Sequence, residues 1–275
     1  MRDGPSFIYG TAWKEDATER LTRLALEAGF RAIDTANQRR HYFEAGAGAA
    51  VAGAIADGLI TRDQIFLQTK FTYLDSQDHR LPYDPDADAA TQVRQSLASS
   101  LEHLRVEHID SYVLHGPSQR HGLGAVDLEV WQAMEEQHDA GTVRHLGISN
   151  AGLDQLQELC ERARVRPAFV QNRCYARLGW DRAVRSFCSG NGIVYQGFSL
   201  LTANVRELQH PQFRGLVART GRTPAQLVFR FALQAGMSPL TGTTDPDHMR
   251  EDQGALSFEL ADEDIRVIES IGVRR

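Results

Sequence analysis

The 275-residue sequence has few cysteines and no long apolar run. Its three cysteines, Cys160, Cys174 and Cys188, lie far apart and form no CxxC pair, which suits a reducing compartment better than a secreted disulfide framework. No apolar stretch approaches the length of a membrane span, and no signal-peptide apolar segment follows Met1. We therefore expect a soluble, cytoplasmic protein without a membrane partner.

The sequence also lacks an excess of positive charge. Its formal net charge is -6, and the charges are spread along the chain. A mildly acidic surface disfavours non-specific contact with phosphate backbones, so we expect no nucleic-acid partner. The ten histidines show neither HxH nor HExxH spacing, which argues against a metal hydrolase and predicts no metal site.

Short apolar or β-branched runs alternate with helical patterns along the chain. The runs are typical of strands because most are bounded by Gly, Pro, Asp or Asn. The predicted strands are Phe7–Ala12, Arg31–Thr35, Ile65–Lys70, Ser111–His115, His145–Ser149, Ala168–Asn172, Gly192–Phe198 and Ser238–Gly242. Helical patterns between them include Asp16–Ala28, Asp88–His103, Asp127–Ala140, Leu153–Ala163 and Pro224–Gln234. Gly29 after the first helix and Thr223-Pro224 before the last are stop and start signals.

This order of elements fits either a closed (β/α)8 barrel or an open doubly wound sheet. An open dinucleotide-binding sheet needs a GxGxxG turn after its first strand, and here that strand ends in Tyr9-Gly10-Thr11-Ala12-Trp13. The GxG of Gly46-Ala47-Gly48 does not follow a strand directly, and we interpret it as close helix packing. Because no interdomain linker is evident, we expect an α/β fold with one (β/α)8 TIM-barrel domain over residues 1–275.

Three consecutive predicted strands end in ionisable residues. Asp34 ends the second strand, Lys70 the third and His115 the fourth. Each has an ordinary explanation by itself: an Asp caps a helix, a Lys begins a solvated loop, and a His fills a structural position. Active sites of such barrels lie at the carboxyl ends of the strands, however. The three residues together therefore predict a catalytic site.

The motifs around these residues resemble those of the aldo-keto reductases. Residues 29–36, Gly-Phe-Arg-Ala-Ile-Asp-Thr-Ala, are similar to the family's strand-two signature, and 65–70 and 110–115 are similar to its next two strand motifs. The similarity continues through 146–150, 170–172, 223–226, 241–244 and 248–252. The resemblance implies an oxidoreductase that reduces an aldehyde or ketone to an alcohol with NADPH, NADH being the alternative cofactor.

In this family a Tyr hydroxyl protonates the carbonyl oxygen while the nicotinamide delivers hydride to the carbon. A free Tyr, with a pKa of about 10, is a poor acid at neutral pH and needs a neighbouring cation to shift it. By resemblance Lys70 supplies that charge, Asp34 holds Lys70, and His115 orients the carbonyl.

The catalytic Tyr is displaced in this sequence. The family places it five residues after the strand-two Asp, where Arg39 stands. Tyr42 is the only Tyr of the segment, and a loop longer by two residues would bring it over the site. We expect Tyr42 to be the proton donor, with His41 or a water as the alternative.

The resemblance also assigns contacts with the nicotinamide. Ser149, Asn150 and Gln171 match residues that hydrogen-bond its carboxamide, and Phe198 stands where an aromatic ring stacks on it. Helix capping by Ser149 and Asn150, and core packing by Phe198, are the structural alternatives.

The positions that by resemblance contact the adenosine part of the cofactor lack the positive charge that the family has there. The family's Lys after strand eight and the Arg six residues later are replaced by Gly242 and His248, and Arg250 is by default part of a solvated helix face. Glu251 and Asp252 fall where the family contacts adenine. The predicted cofactor-binding residues are Gly10, Thr11, Ala12, Asp34, Ser149, Asn150, Gln171, Phe198, Ser199, Leu201, Gly242, Thr243, His248, Glu251 and Asp252.

Two other functions are open. One is a barrel enzyme in which Lys70 forms a Schiff base with its substrate, although an adjacent Asp34 keeps a lysine charged. The other is a non-enzymatic redox sensor that binds a nicotinamide cofactor, which the displaced Tyr would allow. For the reductase, the expected partner is a small carbonyl substrate, and the resemblance suggests a monomer or weak homodimer.

Overall fold

Eight parallel strands close into one barrel in the computed structural model, which describes residues 4–273. The strands are β1 (Ile8–Gly10), β2 (Ala32–Asp34), β3 (Phe66–Phe71), β4 (Ile109–Leu114), β5 (Val143–Ser149), β6 (Phe169–Arg173), β7 (Val194–Phe198) and β8 (Met237–Thr241). Each strand pairs with the next along the chain, and β1 pairs with β8. All eight predicted strands are confirmed, and so is the barrel. Residues 1–3 and 274–275 of the predicted domain lie outside the described residues.

Helices cover the outside of the barrel. They are α1 (Thr18–Glu27), α2 (Glu44–Ala56), α3 (Ala89–Leu104), α4 (Ala125–Asp139), α5 (Leu153–Arg162), α6 (Arg182–Gly190), α7 (Pro211–Thr220), α8 (Pro224–Gln234), α9 (Pro246–Gln253) and α10 (Asp262–Ser270). The predicted start of α8 is confirmed, because the Thr223 hydroxyl accepts from Gln226 N and the Gln226 side chain accepts from Thr223 N. Gly29, the predicted stop signal after α1, has a positive φ of 103°, a backbone conformation that favours glycine. Within residues 4–273, no helix has both the length and the apolar character that a membrane crossing requires.

The GxG of α2 marks its close approach to the end of α3. A Cβ atom on Gly48 would collide with the backbone carbonyl of His103 and lie 2.7 Å from the Cα of Leu104. Backbone atoms cannot swing aside as a flexible side chain can. The interpretation of this glycine as a helix-packing residue is confirmed.

Gly48→Ala is therefore expected to lower the free energy of unfolding by about 1–3 kcal/mol, because α2 and α3 must move apart. Gly53→Ala on the same helix is the matched control, since a Cβ there would meet only the Arg23 guanidinium at 4.0 Å. The control should raise stability by about 0.5–1 kcal/mol through its better helix propensity. Urea denaturation measures both variants, and equal effects would contradict the packing argument.

Candidate active site

A cavity of about 950 Å³ opens at the carboxyl ends of the strands. Asp34, Tyr42 and His115 line it near β2 and β4, and it extends past β8 to α9. The predicted site residues that line it are Gly10, Ala12, Asp34, Tyr42, His115, Ser149, Asn150, Gln171, Phe198, Ser199, Leu201, Gly242, Thr243, His248, Glu251 and Asp252. Two predicted residues lie behind its wall. Lys70 is completely buried, and the buried Thr11 hydroxyl donates to the backbone oxygen of Asp34 instead of facing the cavity.

A buried ion pair joins β2 to β3. Asp34 pairs in register with Gln68, and Lys70 lies two residues further along β3 on the same face. Lys70 Nζ donates to both Asp34 carboxylate oxygens at 2.7 Å and to the backbone oxygen of Thr35 at 2.8 Å. Burial lowers the pKa of Lys70, and the negative charge of Asp34 opposes that shift. Because these three contacts use all three ammonium protons, the geometry argues against a Schiff base on Lys70.

Two glutamines contact the same carboxylate inside the barrel and a third joins them, and only Gln171 was predicted from the sequence. Gln68 Nε2 and Gln171 Nε2 donate to Asp34 Oδ1 at 2.7 and 2.9 Å. Both also donate to Gln196 Oε1, and Gln196 Nε2 returns a bond to Gln68 Oε1 at 3.0 Å. A buried amide network with paired donors fixes its members in one arrangement. Asp34 is therefore held directly by side chains of β3 and β6, and Gln196 of β7 holds the two glutamines that contact it. The available sequence signal was the inward strand position of Gln68 and Gln196.

The loop after β2 is anchored so that it returns Tyr42 to the cavity. Asn37 Nδ2 donates to the backbone oxygen of Ser96 at 3.0 Å, and Gln38 Nε2 donates to that of Ser76 at 2.7 Å. The Tyr42 backbone N–H then donates to the Gln38 oxygen at 3.0 Å, which closes a tight turn. The longer loop therefore buries Asn37 and Gln38, and the Tyr42 side chain lines the cavity.

Tyr42 lies between Lys70 and His115. Its ring centroid is 5.2 Å from Lys70 Nζ and 6.0 Å from the His115 ring centroid. Burial, and then the charge of Asp34, raise the pKa of Tyr42. This direction is opposite to the one expected from Lys70, because burial and the charge of Asp34 both favour the protonated phenol. The hydroxyl therefore stays protonated at neutral pH.

His41, the alternative donor, does not itself line the cavity, although it stacks on Trp13, which does. Its Nδ1 lies 2.9 Å from Gln38 Oε1, and its ring stacks on Trp13 with centroids 3.9 Å apart. Tyr42 lines the cavity beside His115, and His41 is not among the lining residues. The geometry thus favours Tyr42.

His115 is a neutral imidazole with a partner that sequence analysis missed. Burial, and then the charge of Lys70, lower the pKa of His115 to about 3. Its Nδ1 lies 2.7 Å from Thr72 Oγ1, just beyond the end of β3. A Thr hydroxyl that donates to Nδ1 leaves the ring proton on Nε2. No local pattern marks Thr72, because its partner is 43 residues away.

The predicted nicotinamide residues form one connected group at the ends of β5 and β6. Asn150 Nδ2 donates to the His115 backbone oxygen at 2.8 Å, and Ser149 Oγ donates to the Gln171 backbone oxygen at 2.6 Å. The capping alternative fails, because Gly152 is the N-cap residue of α5. Gln171 Oε1 accepts no hydrogen bond from the described residues and belongs to a lining side chain. This acceptor suits a carboxamide N–H₂ group.

The other end of the cavity lies between β8 and α9. Asp252 accepts from the Thr241 hydroxyl at 2.8 Å, and burial raises its pKa to about 6. Arg250 pairs with Asp247 and is absent from the lining, which agrees with its solvated-face interpretation. Lys14 and Arg173 do line the cavity, and sequence analysis assigned neither. No cluster of three or more His, Cys, Asp or Glu side chains suited to a metal occurs among the described residues.

Comparison with curated proteins extends over nearly the whole chain. Residues 7–273 match the sequence profile described as the aldo/keto reductase family. The chain is 30% identical over 277 residues to aldo-keto reductase family 1 member C1 of Macaca fuscata fuscata, covering 91% of this chain and 81% of that protein. It is also 30% identical over 299 residues to prostaglandin-E(2) 9-reductase of Oryctolagus cuniculus, covering 97% and 88%.

Solved structures share the fold. An aldo-keto reductase of Bombyx mori, solved in complex with NADP, superposes with a TM-score of 0.83 at 24% identity, over 98% of this chain and 89% of that one. An aldo/keto reductase from Brucella melitensis gives a TM-score of 0.82 at 24% identity, over 97% and 95%. The profile match, the curated relatives and the strand-end motifs agree. The chain belongs to the aldo/keto reductase family.

Proposed function

We propose that this protein reduces an aldehyde or ketone to an alcohol with NADPH as the hydride donor. The observation that carries the proposal is the Asp34–Lys70 pair buried beside Tyr42 and His115 at one end of the cavity. The cavity continues from these groups to α9 and is large enough for a dinucleotide. The rabbit relative is named a reductase, and the silkworm structure contains NADP, which supports this cofactor class. NADH is the alternative.

The residues divide the reaction between proton donation and orientation. A bound nicotinamide supplies the hydride for the carbonyl carbon. Tyr42 donates its proton to the carbonyl oxygen, and the Lys70 ammonium stabilises the phenolate that is left. His115, neutral and with Nδ1 engaged by Thr72, donates a hydrogen bond from Nε2 that orients the carbonyl. Asp34 and its glutamines keep Lys70 in place.

The cofactor would be held along the cavity wall. Asn150 and Gln171 would bind the carboxamide, and Phe198 would cover one face of the nicotinamide ring. Ser199 at the end of β7 has a φ of 55°, a left-handed conformation that is strained for a residue with a side chain. Such strain is common in backbone that approaches a ligand, so Ser199 and its neighbours in the cavity lining would help to hold the cofactor.

Fluorescence titration with NADPH and NADH, followed by turnover assays on a panel of aldehydes and ketones, tests the proposal. We expect tighter binding of NADPH and its consumption with at least one carbonyl. Binding without turnover across the panel would favour the redox sensor, and no binding of either nucleotide would contradict the proposed function. If the protein is treated with borohydride in the presence of a carbonyl compound, mass spectrometry should detect no modification of Lys70. Cytoplasmic location and a monomer or weak homodimer stay predictions.

A further inference from the structure

An arginine at the opening of the cavity plays no part in the mechanism above. Arg173 is the last residue of β6, lines the cavity and is exposed. Among residues 4–273, no carboxylate lies within ion-pair distance of its guanidinium, and no oxygen accepts a hydrogen bond from it. Its nearest described partners are aromatic: the guanidinium carbon lies 6.0 Å from the ring centroids of both Tyr175 and Phe198. The five N–H donors of this group are therefore free for a ligand.

Strand geometry places Arg173 above the interior of the barrel. Gln171 and Arg173 are two residues apart on β6, so their side chains take the same face of the strand. Gln171 points inward, because its Nε2 donates to Asp34 Oδ1 at 2.9 Å. Arg173 follows about 7 Å further along the strand, towards the opening. It pairs in register with Phe198 of β7, so the guanidinium lies at the opening beside the proposed nicotinamide position.

The proposed cofactor leaves this side of the cavity free. The strand order around the barrel is β6, β7, β8, so Phe198 of β7 lies between Arg173 on β6 and the part of the cavity at β8 and α9. A dinucleotide whose nicotinamide lies against Phe198 extends towards α9, where the cavity continues. The other side of the opening, from His115 at the end of β4 to Arg173 at the end of β6, is open to the substrate.

The carboxylates that line the cavity do not compensate Arg173. Asp34 accepts two bonds of 2.7 Å from Lys70 Nζ, so its charge is already paired. Glu251 and Asp252 belong to α9, at the other end. The reacting end of the cavity therefore carries one uncompensated positive charge, which favours an anionic ligand.

We propose that Arg173 binds a carboxylate carried by the carbonyl substrate, so that the preferred substrates are aldehydes or ketones with a second, anionic end. The inference rests on the reductase function proposed above and names its substrate class. A planar guanidinium binds a carboxylate through two parallel N–H···O bonds, which fixes orientation as well as charge. The carboxylate is remote from the reacting carbon, so this contact is the same before and during hydride transfer. It therefore lowers KM and leaves kcat nearly constant.

Reduction of carboxy-aldehydes and of their methyl esters with NADPH is the test. Para-carboxybenzaldehyde, meta-carboxybenzaldehyde and glutaric semialdehyde place the carboxylate at different distances, and each ester keeps the aldehyde and removes the charge. For at least one pair we expect the wild-type KM to be about tenfold lower for the carboxylate, between the effect of an exposed ion pair and that of a buried charge-assisted hydrogen bond. Arg173→Met should abolish this preference. Arg173→Lys keeps the charge without the planar group and should retain part of it.

Arg177→Met is the matched control. The Arg177 guanidinium carbon lies 4.9 Å from the same Tyr175 ring, but Arg177 is not among the residues that line the cavity. The control removes the same charge from the same neighbourhood and should keep the wild-type preference. The NADPH dissociation constant is measured for every variant by fluorescence, and thermal unfolding checks that each is folded.

The outcomes separate the substrate class from the proposed function. A preference for the carboxylate that disappears in Arg173→Met and persists in Arg177→Met supports the inference. Equal KM values within every pair in the wild type overturn it and leave the proposed function intact. The inference also fails if Arg173→Met weakens NADPH binding and keeps the preference, because the guanidinium would then bind the nucleotide, or if both arginine variants lose the preference equally. A wild type that consumes NADPH with no carbonyl compound contradicts the proposed function itself.

Ionic strength gives a second readout. The Debye length falls from about 30 Å at about 0.01 M salt to about 3 Å at about 1 M, and the exposed Arg173 is open to this screening. The wild-type preference for the carboxylate should therefore shrink as salt is added, while the KM of each methyl ester stays nearly constant. A preference that does not change with salt would contradict the contact between the guanidinium and the carboxylate.

Discussion

Tyr42→Phe is expected to lower carbonyl reduction by about 10²–10⁴-fold while NADPH still binds. The substitution removes the hydroxyl and keeps the ring that lies 5.2 Å from Lys70 Nζ. Burial and Asp34 hold that hydroxyl in its protonated form, so its proton is available when charge develops on the carbonyl oxygen. Values of kcat/KM and the NADPH dissociation constant separate loss of the proton donor from loss of the cofactor site.

His41→Gln is the matched control, because His41 is the neighbouring alternative donor and is not among the residues that line the cavity. It should retain most of the activity. A Tyr42→Phe enzyme that stays active beside an inactive His41→Gln enzyme would transfer the role to His41.

Lys70→Met is expected to damage both stability and turnover. It leaves the Asp34 carboxylate buried without its cation, since the Lys70 ammonium supplies two bonds of 2.7 Å. Breaking a buried pair by removing one partner costs about 3–5 kcal/mol. Reduction should fall at least about 10²-fold, because the phenolate of Tyr42 loses its stabilising charge. Urea denaturation and kcat/KM measure the two effects.

The double variant Asp34→Asn/Lys70→Met separates the structural from the chemical role. The neutral amide introduced at position 34 can still hydrogen-bond with the glutamines of β3 and β6, so the double variant should recover much of the lost stability. Turnover should stay low because no ammonium is present. Recovery of turnover with stability would mean that Lys70 acts only through the fold.

Of the two charges in the buried Asp34–Lys70 pair, the Asp34 charge is the one that raises the pKa of Tyr42. A lysine with a free charge would make the phenol a stronger acid. Here the Asp34 carboxylate contacts the ammonium directly, and its own charge raises the pKa of Tyr42. In the proposed mechanism the pair therefore keeps the proton on the phenol until the carbonyl oxygen gains negative charge.

The barrel followed from local patterns, because each strand and helix carries its own periodicity and end signals. Asp34, Lys70 and His115 were predictable for the same reason: each stands at the end of a strand, and parallel strands bring their carboxyl ends together. The position of Tyr42 needed more than this. Its approach to the cavity depends on buried anchors, Asn37 and Gln38, that hold the loop against α3 and the segment after β3.

The site residues that were not predicted from the sequence make contacts that require the barrel to be closed. Gln196 meets Gln68 from a strand 128 residues away, and Lys14 meets Gly242 over 228 residues. Both contacts exist only once the sheet has closed, with β8 beside β1. Periodicity along one strand says which face a side chain takes, but not which distant residue lies opposite it.

In the proposed reaction NADPH supplies the hydride to a carbonyl carbon in this cavity, and Tyr42 donates the proton. Single turnover with NADPH that carries deuterium as the transferred hydrogen, followed by mass spectrometry of the alcohol, tests it most directly. We predict an alcohol that carries the deuterium on the former carbonyl carbon, formed rapidly by the wild type and far more slowly by Tyr42→Phe. An alcohol without deuterium, or equal rates in the two proteins, would contradict this mechanism.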